Sequence, residues 1–136
     1  MIKRKTKEGN AKVKNATRVE IEGIKFRSKL EAFCYRKCIE SSLNAQYEPN
    51  KYILMDKFEY NGEKVRAMTF TPDFVGEGWI IECKGMITDG FTLKWKLFKN
   101  HLRLNNLKYD LYMPRNQKEV LAAINTIKSK LNEIRE

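Results

Sequence analysis

Two acidic residues and a lysine near the middle of the chain have the types and spacing of a metal-dependent hydrolytic site. Asp73 ends one apolar segment, and Glu82 and Lys84 lie in the next, after a turn over residues 76–78. A two-residue loop at Glu77-Gly78 would make the two carboxylates direct cross-strand neighbours, with Cβ atoms about 5 Å apart. Lys84 would then share their face of the sheet. A three-residue turn would separate the carboxylates unless a bulge restored the register.

Neighbouring carboxylates repel each other, so a sheet that keeps such a pair needs a compensating cation. Carboxylate and carbonyl oxygens suit Mg²⁺ or Mn²⁺, and the backbone carbonyl of Cys83 would point into the same space. Lys84 would orient or deprotonate an attacking water and offset charge on a pentacovalent phosphate. The pattern therefore predicts hydrolysis of phosphodiester bonds. The alternative is that Asp73 and Glu82 are surface charges on an exposed hairpin.

A third carboxylate, Glu31, lies in a helix predicted from Ser28 to about Ser42. Ser28 is expected to be the N-cap, and Glu31 is placed to complete a capping box. Glu31 also lies at the edge of the apolar stripe, where it can face a cleft. Both roles stay open, because a capping glutamate needs no metal. The apolar positions of this helix are Leu30, Phe33, Cys34, Cys38 and Ile39.

Charge and composition indicate the partner. The 136 residues include 27 Lys and Arg against 17 Asp and Glu, a formal net charge of +10. Such a field attracts phosphate backbones or anionic membranes, but the sequence has neither a membrane-spanning run nor a basic helix with a surface-seeking apolar face. The start of the chain does not resemble a secretory signal, and 3 cysteines fit a reducing compartment. We expect a cytoplasmic nucleic-acid-binding protein with free thiols and no membrane partner.

The remaining patterns predict an α/β fold, a small mixed β-sheet flanked by helices. Residues 1–15 lack large apolar side chains, which predicts a mobile basic arm that either solubilises the chain or contacts phosphate. Residues 16–136 form one domain. It would begin with a hairpin around Glu22-Gly23 and continue through an extended segment over residues 46–54. Strands are expected over residues 65–75, 79–83 and 109–113.

Two further helices complete the predicted fold. The last one carries an apolar stripe from Val120 to Ile134, which either packs on its own sheet or forms a homodimer contact. The other, from Phe91 to about Leu107, is basic and amphipathic. Its cations either contact DNA or form a solvated helix face, and they are Lys94, Lys96, Lys99 and Arg103.

Two other groups of residues have alternative interpretations. Glu48 is expected to be a solvated carboxylate at a strand edge, or else to hold a ligand water or a nearby basic residue. A zinc site is chemically conceivable, but the CxxC spacing of structural zinc sites is absent and buried free thiols are favoured. The residues that such a zinc site would use are Cys34, Cys38, Cys83 and His101.

The motif Pro72-Asp73, followed after eight residues by Glu82-x-Lys84, resembles the signature of the PD-(D/E)XK nuclease superfamily. Glu31 matches the extra acidic residue that many members carry. The predicted order of helix, three strands, helix and strand over residues 28–113 also resembles the restriction-endonuclease-like core of that superfamily. Within it, residues 71–74 and 81–85 are similar to phage endonuclease I-type Holliday-junction resolvases and to small prophage proteins.

The resemblance implies a Mg²⁺- or Mn²⁺-dependent endodeoxyribonuclease that cuts branched DNA as a homodimer, in a bacterial host cell if it is phage-derived. Lys94 matches the basic residue often found on the helix after the Glu-x-Lys motif. One alternative is a nuclease that acts on duplex or flapped DNA, and another is a non-catalytic nucleic-acid-binding module with structural carboxylates. The catalytic set implied is Asp73, Glu82, Lys84 and Glu31, with the metal held by Glu31, Asp73, Glu82 and the backbone carbonyl of Cys83.

Overall fold

A computed structural model describes residues 18–135 of the chain. The predicted basic arm, residues 1–15, lies outside this range. None of the helices within it is both long and apolar enough to cross a membrane. The elements in chain order are β1 (Val19–Ile21), β2 (Ile24–Phe26), α1 (Lys29–Glu40), β3 (Gln46–Tyr47), β4 (Tyr52–Met55), β5 (Phe58–Tyr60), β6 (Glu63–Val65), β7 (Met68–Phe70), β8 (Phe74–Gly76), β9 (Trp79–Ile81), α2 (Asp89–Leu104), β10 (Asp110–Tyr112) and α3 (Gln117–Arg135).

A four-stranded mixed sheet in the order β10-β9-β8-β3 carries the candidate site. β8 and β9 form an antiparallel hairpin, β3 pairs antiparallel to β8, and β10 pairs parallel to β9 after the chain has crossed over through α2. Three two-stranded antiparallel ribbons, β1–β2, β4–β7 and β5–β6, accompany this sheet. The predicted α/β class, with its mixed sheet, N-terminal hairpin and C-terminal helix, is confirmed.

Successive side chains of the β8–β9 hairpin point to opposite faces of the sheet and pack in two different hydrophobic clusters. Phe74 and Ile81 pack with α1 and α3 on one face of the sheet. Val75 and Ile80 pack with α2 on the other. Because both faces are covered, the hairpin is buried along its length and holds the residues at its open end in fixed positions.

The hairpin has the two-residue loop on which the predicted site depends. Gly76 faces Trp79, and the pairs continue toward the open end as Val75 with Ile80 and Phe74 with Ile81. Gly78 has a φ of +80°, a conformation that favours glycine. The predicted register is therefore confirmed, and Asp73 and Glu82 are the next pair beyond the last strand residues.

Gly76 packs so closely against the ring of Trp79 that a methyl group at this position would overlap the indole. The ring is only 3% exposed, so it cannot move aside without opening the core. We expect Gly76→Ala to lower the free energy of unfolding by about 1–3 kcal/mol, measured by urea denaturation. Gly90→Ala is the control, because its new Cβ would come no closer than 4.0 Å to Thr88 Oγ1. Equal stabilities of the two variants would contradict this packing.

One strand prediction was wrong, and one hairpin was not predicted. Residues 65–75 do not form one strand, because β7 ends at Phe70 and pairs with β4, whereas β8 starts at Phe74 and pairs with β9 and β3. Pro72 lies in the gap, where a residue without an N–H cannot extend a ladder. Residues 58–65, which were not assigned, form the β5–β6 hairpin around Asn61-Gly62.

The helices differ from their predicted form mainly at their ends. α1 stops at Glu40, and Ile39 is 44% exposed rather than part of the buried stripe. α2 begins at Asp89, capped by Thr88, and ends at Leu104, earlier than predicted. The stripe of α3 packs within its own chain, with Val120, Ile124 and Ile127 buried beside residues of α1. This stripe is therefore a core face, and only its distal end, including Ile134, is exposed.

Candidate active site

Asp73 and Glu82, called the acidic pair below, are held together by backbone hydrogen bonds at the open end of the β8–β9 hairpin. The N–H of Asp73 donates to Glu82 Oε1 at 2.9 Å, and the N–H of Cys83 donates to Asp73 Oδ2 at 2.9 Å. Both residues are only 5% exposed. The N–H of Glu82 donates in turn to the carbonyl of Tyr112 in β10, which ties the pair to the sheet. Two carboxylates are thus held rigidly side by side.

Burial makes this arrangement unfavourable when both groups are ionised. Burial raises the pKa of Asp73 well above its ordinary value, and the charges of Glu82 and Glu31 raise it further. Burial also raises the pKa of Glu82, to about 7, although the Asp73 N–H and the charge of Lys84 oppose the shift. Proton uptake or cation binding would relieve the repulsion.

Glu31 brings a third buried carboxylate from α1, and it is 8% exposed. Ser28 caps the helix as predicted, since its Oγ accepts from the N–H of Glu31 at 3.2 Å. The carboxylate of Glu31 turns away from the predicted capping box, because its Oε1 accepts from the Tyr47 hydroxyl at 2.8 Å and from the Arg27 N–H at 3.4 Å. Its charge acts on both members of the acidic pair. The structure therefore places Glu31 close enough for its charge to act on the acidic pair.

Lys84 lies next to Glu82 in the acidic pair. Its Nζ is 3.9 Å from Glu82 Oε2 and 4.4 Å from the centre of the Phe91 ring at the start of α2. Arg115 holds the lysine's backbone, with Nε donating to the carbonyl of Lys84 at 2.9 Å. No local sequence pattern indicates a role for Arg115, because this contact spans 31 residues of chain.

Glu48 does not behave as the solvated strand-edge carboxylate that was favoured. Its N–H donates to the carbonyl of Asp73 at 2.7 Å, and its side chain, 21% exposed, pairs with Arg27. The second interpretation, in which Glu48 holds a basic residue, is the one the structure adopts. Arg27 was not singled out in the sequence, where only its position directly before the N-cap Ser28 was visible.

The alternative zinc site does not assemble, because His101 lies apart from the three cysteines. Cys34, Cys38 and Cys83 are buried free thiols, as predicted. They belong to the core beneath α1 and α3, whereas His101 lies on α2, with its ring 5.8 Å from that of Tyr52 across the sheet. Within residues 18–135, no group of three or more histidine, cysteine or acidic side chains is already arranged to hold a metal ion.

Comparison with known proteins places the chain in a family. A family model described as "Protein of unknown function (DUF1064)" matches residues 11–118. The chain belongs to this family. No curated protein and no solved structure matches the chain. The DUF1064 region contains Glu31, the acidic pair and Lys84, so the candidate site lies within the part of the chain that defines the family.

The four predicted DNA contacts on α2, all inside the DUF1064 region, divide between different surfaces. Lys94 lines an open groove together with Lys84, Phe91 and Phe70. Lys99 and Arg103 line a separate depression that includes Lys108. Lys96 is exposed on α2 and lines neither of these two surfaces. Among the four, Lys94 is therefore the cation that shares a groove with Lys84.

This division gives a prediction for DNA binding by this DUF1064 protein. We expect Lys94→Ala to weaken binding and to lower the slope of log affinity against log salt by about 1, as for loss of one phosphate contact. Lys99→Ala is the matched control and should change both quantities less. Fluorescence anisotropy with labelled DNA over a range of salt concentrations measures this. Equal losses in the two variants would contradict a special position for Lys94.

Proposed function

We propose that this protein is a metal-dependent endodeoxyribonuclease of the PD-(D/E)XK type. The observation that carries the proposal is the acidic pair, two interlocked carboxylates buried at a sheet end with the amine of Lys84 beside them. A purely structural pair would be costly to bury in this form, because both pKa values are raised. Perturbed groups that converge on a pocket are typical of functional sites.

The donor chemistry of the pocket fits a hard divalent cation. Asp73 Oδ2 and Glu82 Oε1 accept backbone N–H groups, which orients both carboxylates. We assign Mg²⁺ or Mn²⁺ to Asp73 and Glu82, with Glu31, the carbonyl of Cys83 and water completing the ligand set. When bound, such a cation would polarise the scissile phosphate and lower the pKa of a water molecule.

The chain's own residues have separate roles in this reaction. Lys84 Nζ orients the attacking water and offsets negative charge on the phosphate as the phosphorus becomes five-coordinate. The ring of Phe91 and the backbone bonds from Arg115 and to Pro114 keep this amine next to Glu82. Water adds its oxygen to phosphorus, the bond to the leaving sugar oxygen breaks, and that oxygen takes up a proton.

The proposed substrate is branched DNA, cut in the cytoplasm by a homodimer. Support for branched DNA and for the dimer comes from the similarity of the motif residues to junction resolvases. A nuclease acting on duplex or flapped DNA uses the same site and is the second candidate. A non-catalytic binding module is the third, favoured only by the net charge of +10.

Cleavage of labelled DNA tests these possibilities together. A four-way junction and a linear duplex of the same sequence are incubated with protein and Mg²⁺, Mn²⁺ or EDTA. We expect metal-dependent products, formed faster from the junction, and loss of these products in Lys84→Ala. Equal rates on both substrates would overturn the junction preference alone. Salt-dependent DNA binding without scission in either metal would overturn the nuclease proposal in favour of a binding module.

A further inference from the structure

Arg27 is an exposed cation that contacts both Glu31 and Glu48 beside the acidic pair, and neither the motif nor the mechanism above uses it. Its side chain is 65% exposed, although Nη1 lies 2.7 Å from Glu48 Oε2 and Nη2 lies 3.4 Å from Glu48 Oε1. The shorter contact is a charge pair that lacks the alignment of a hydrogen bond. Glu48 thus holds the guanidinium on one side, while much of its surface is open to solvent.

The surroundings of Arg27 link it to the site residues. Its own N–H donates to Glu31 Oε1 at 3.4 Å. The N–H of its partner Glu48 donates to the carbonyl of Asp73 at 2.7 Å. The charges of Glu48, Glu31 and Asp73 all act on the guanidinium. Arg27 therefore stands on the Glu31 side of the acidic pair, whereas Lys84 stands on the Glu82 side.

The chemistry of the guanidinium suits a phosphate at this position. It has five N–H donors in a fixed plane, and a phosphate can accept two of them at once. The existing pair with Glu48 is exposed mainly on the arginine side, at 65% against 21% for the glutamate, so much of the guanidinium stays open to an incoming group. An arriving phosphate can therefore bind the open donors and compete with Glu48 for the guanidinium.

We propose that Arg27 binds a backbone phosphate of the DNA strand entering the site, and that Glu48 holds the guanidinium in place until DNA arrives. This inference rests on the proposed function and adds a substrate-binding residue and a competing carboxylate to it. Arg27 contacts the substrate before and during the reaction. Its removal should therefore raise KM more than it lowers kcat.

A double-mutant cycle on the full chain tests the exchange. DNA affinity is measured by anisotropy in EDTA for wild type, Arg27→Gln, Glu48→Gln and the double variant. We expect Arg27→Gln to weaken binding about ten- to a hundredfold, the loss of one charge-assisted contact. Arg27→Lys should recover part of the loss. Glu48→Gln alone should bind DNA more tightly than wild type. The double variant should bind DNA no more tightly than Arg27→Gln alone.

The control variant is Arg36→Gln, which removes the same charge from an exposed position on α1. It should bind DNA with close to wild-type affinity. Equal weakening by Arg36→Gln and Arg27→Gln would overturn the inference, and so would tightening by Glu48→Gln that persists without Arg27. If Arg27→Gln cleaves and binds DNA normally, only this inference fails. If wild type neither binds nor cleaves DNA, the proposed function fails first.

Discussion

Asp73→Asn is expected to slow DNA cleavage about a thousandfold or more, because the site loses several kcal/mol of charge stabilisation when it loses the carboxylate that binds the cation. The fold should persist, since the amide oxygen of asparagine can still accept the N–H of Cys83 that Asp73 Oδ2 accepts now. Single-turnover cleavage of a labelled junction in Mg²⁺, at saturating protein, measures the loss.

The same substitution should increase stability. Asparagine removes one of two buried, mutually repelling carboxylates, so Asp73→Asn should unfold at a higher temperature than wild type at pH 8 in EDTA. Asp110→Asn is the matched control, because Asp110 is half-exposed and pairs with Lys130 on α3. It should leave cleavage unchanged. If Asp73→Asn cuts DNA within a few-fold of wild type, the assignment of Asp73 is wrong.

The metal-free protein should lose stability as the pH rises from about 4.5 to about 7. The pKa of Glu82 is raised from 4.5 to about 7 in the folded state, mainly by burial. The folded protein thus holds this proton more tightly than the unfolded chain does. Its stabilising contribution is fully present below about 4.5 and is lost as the pH rises through about 7. The loss is about 3 kcal/mol, and the raised pKa of Asp73 acts in the same direction.

Urea denaturation at a series of pH values between 4.5 and 8.5 measures this loss. In EDTA the wild type should become less stable with rising pH, whereas Glu82→Gln and Asp73→Asn should give flatter profiles. Mg²⁺ should restore stability most strongly above pH 7, because the cation replaces the proton in the folded state. If the stability of the wild type in EDTA does not change with pH, burial does not raise the pKa values of the acidic pair.

The central hairpin and the first helix cap could be predicted because their signals are local. The Glu77-Gly78 loop fixes the register, and the register alone brings Asp73 next to Glu82. Ser28 was recognisable as an N-cap from the helix that follows it. In these cases a few neighbouring residues determine the backbone, and the side-chain positions follow from strand or helix geometry.

The supporting contacts of the site could not be predicted because they depend on tertiary structure. Arg27 meets Glu48 across 21 residues, and Arg115 meets Lys84 across 31. Both arginines look like ordinary surface cations in the sequence. It also could not be predicted that Lys94 and Lys99 line different grooves, because this depends on how α2 packs on the sheet.

The β5–β6 hairpin, by contrast, was missed although a local signal was present. Asn61 and Gly62 have φ values of +50° and +83°, the left-handed pair that an Asn-Gly hairpin loop favours. The segment from Phe58 to Tyr60 is exposed throughout, so it lacks the alternation of buried and exposed residues that marks a strand on a core. The Asn-Gly loop therefore predicts this hairpin better than the hydrophobic pattern of its strands does.

The most direct test of the account is the location of Mn²⁺ in crystals soaked in this ion. Anomalous scattering identifies the metal independently of any activity assay. The account predicts a manganese peak bound by carboxylate oxygens of both Asp73 and Glu82, within reach of Glu31, and its disappearance in Asp73→Asn. A protein that cuts DNA in Mn²⁺ but binds the ion elsewhere, or leaves the acidic pair without a metal, would contradict it.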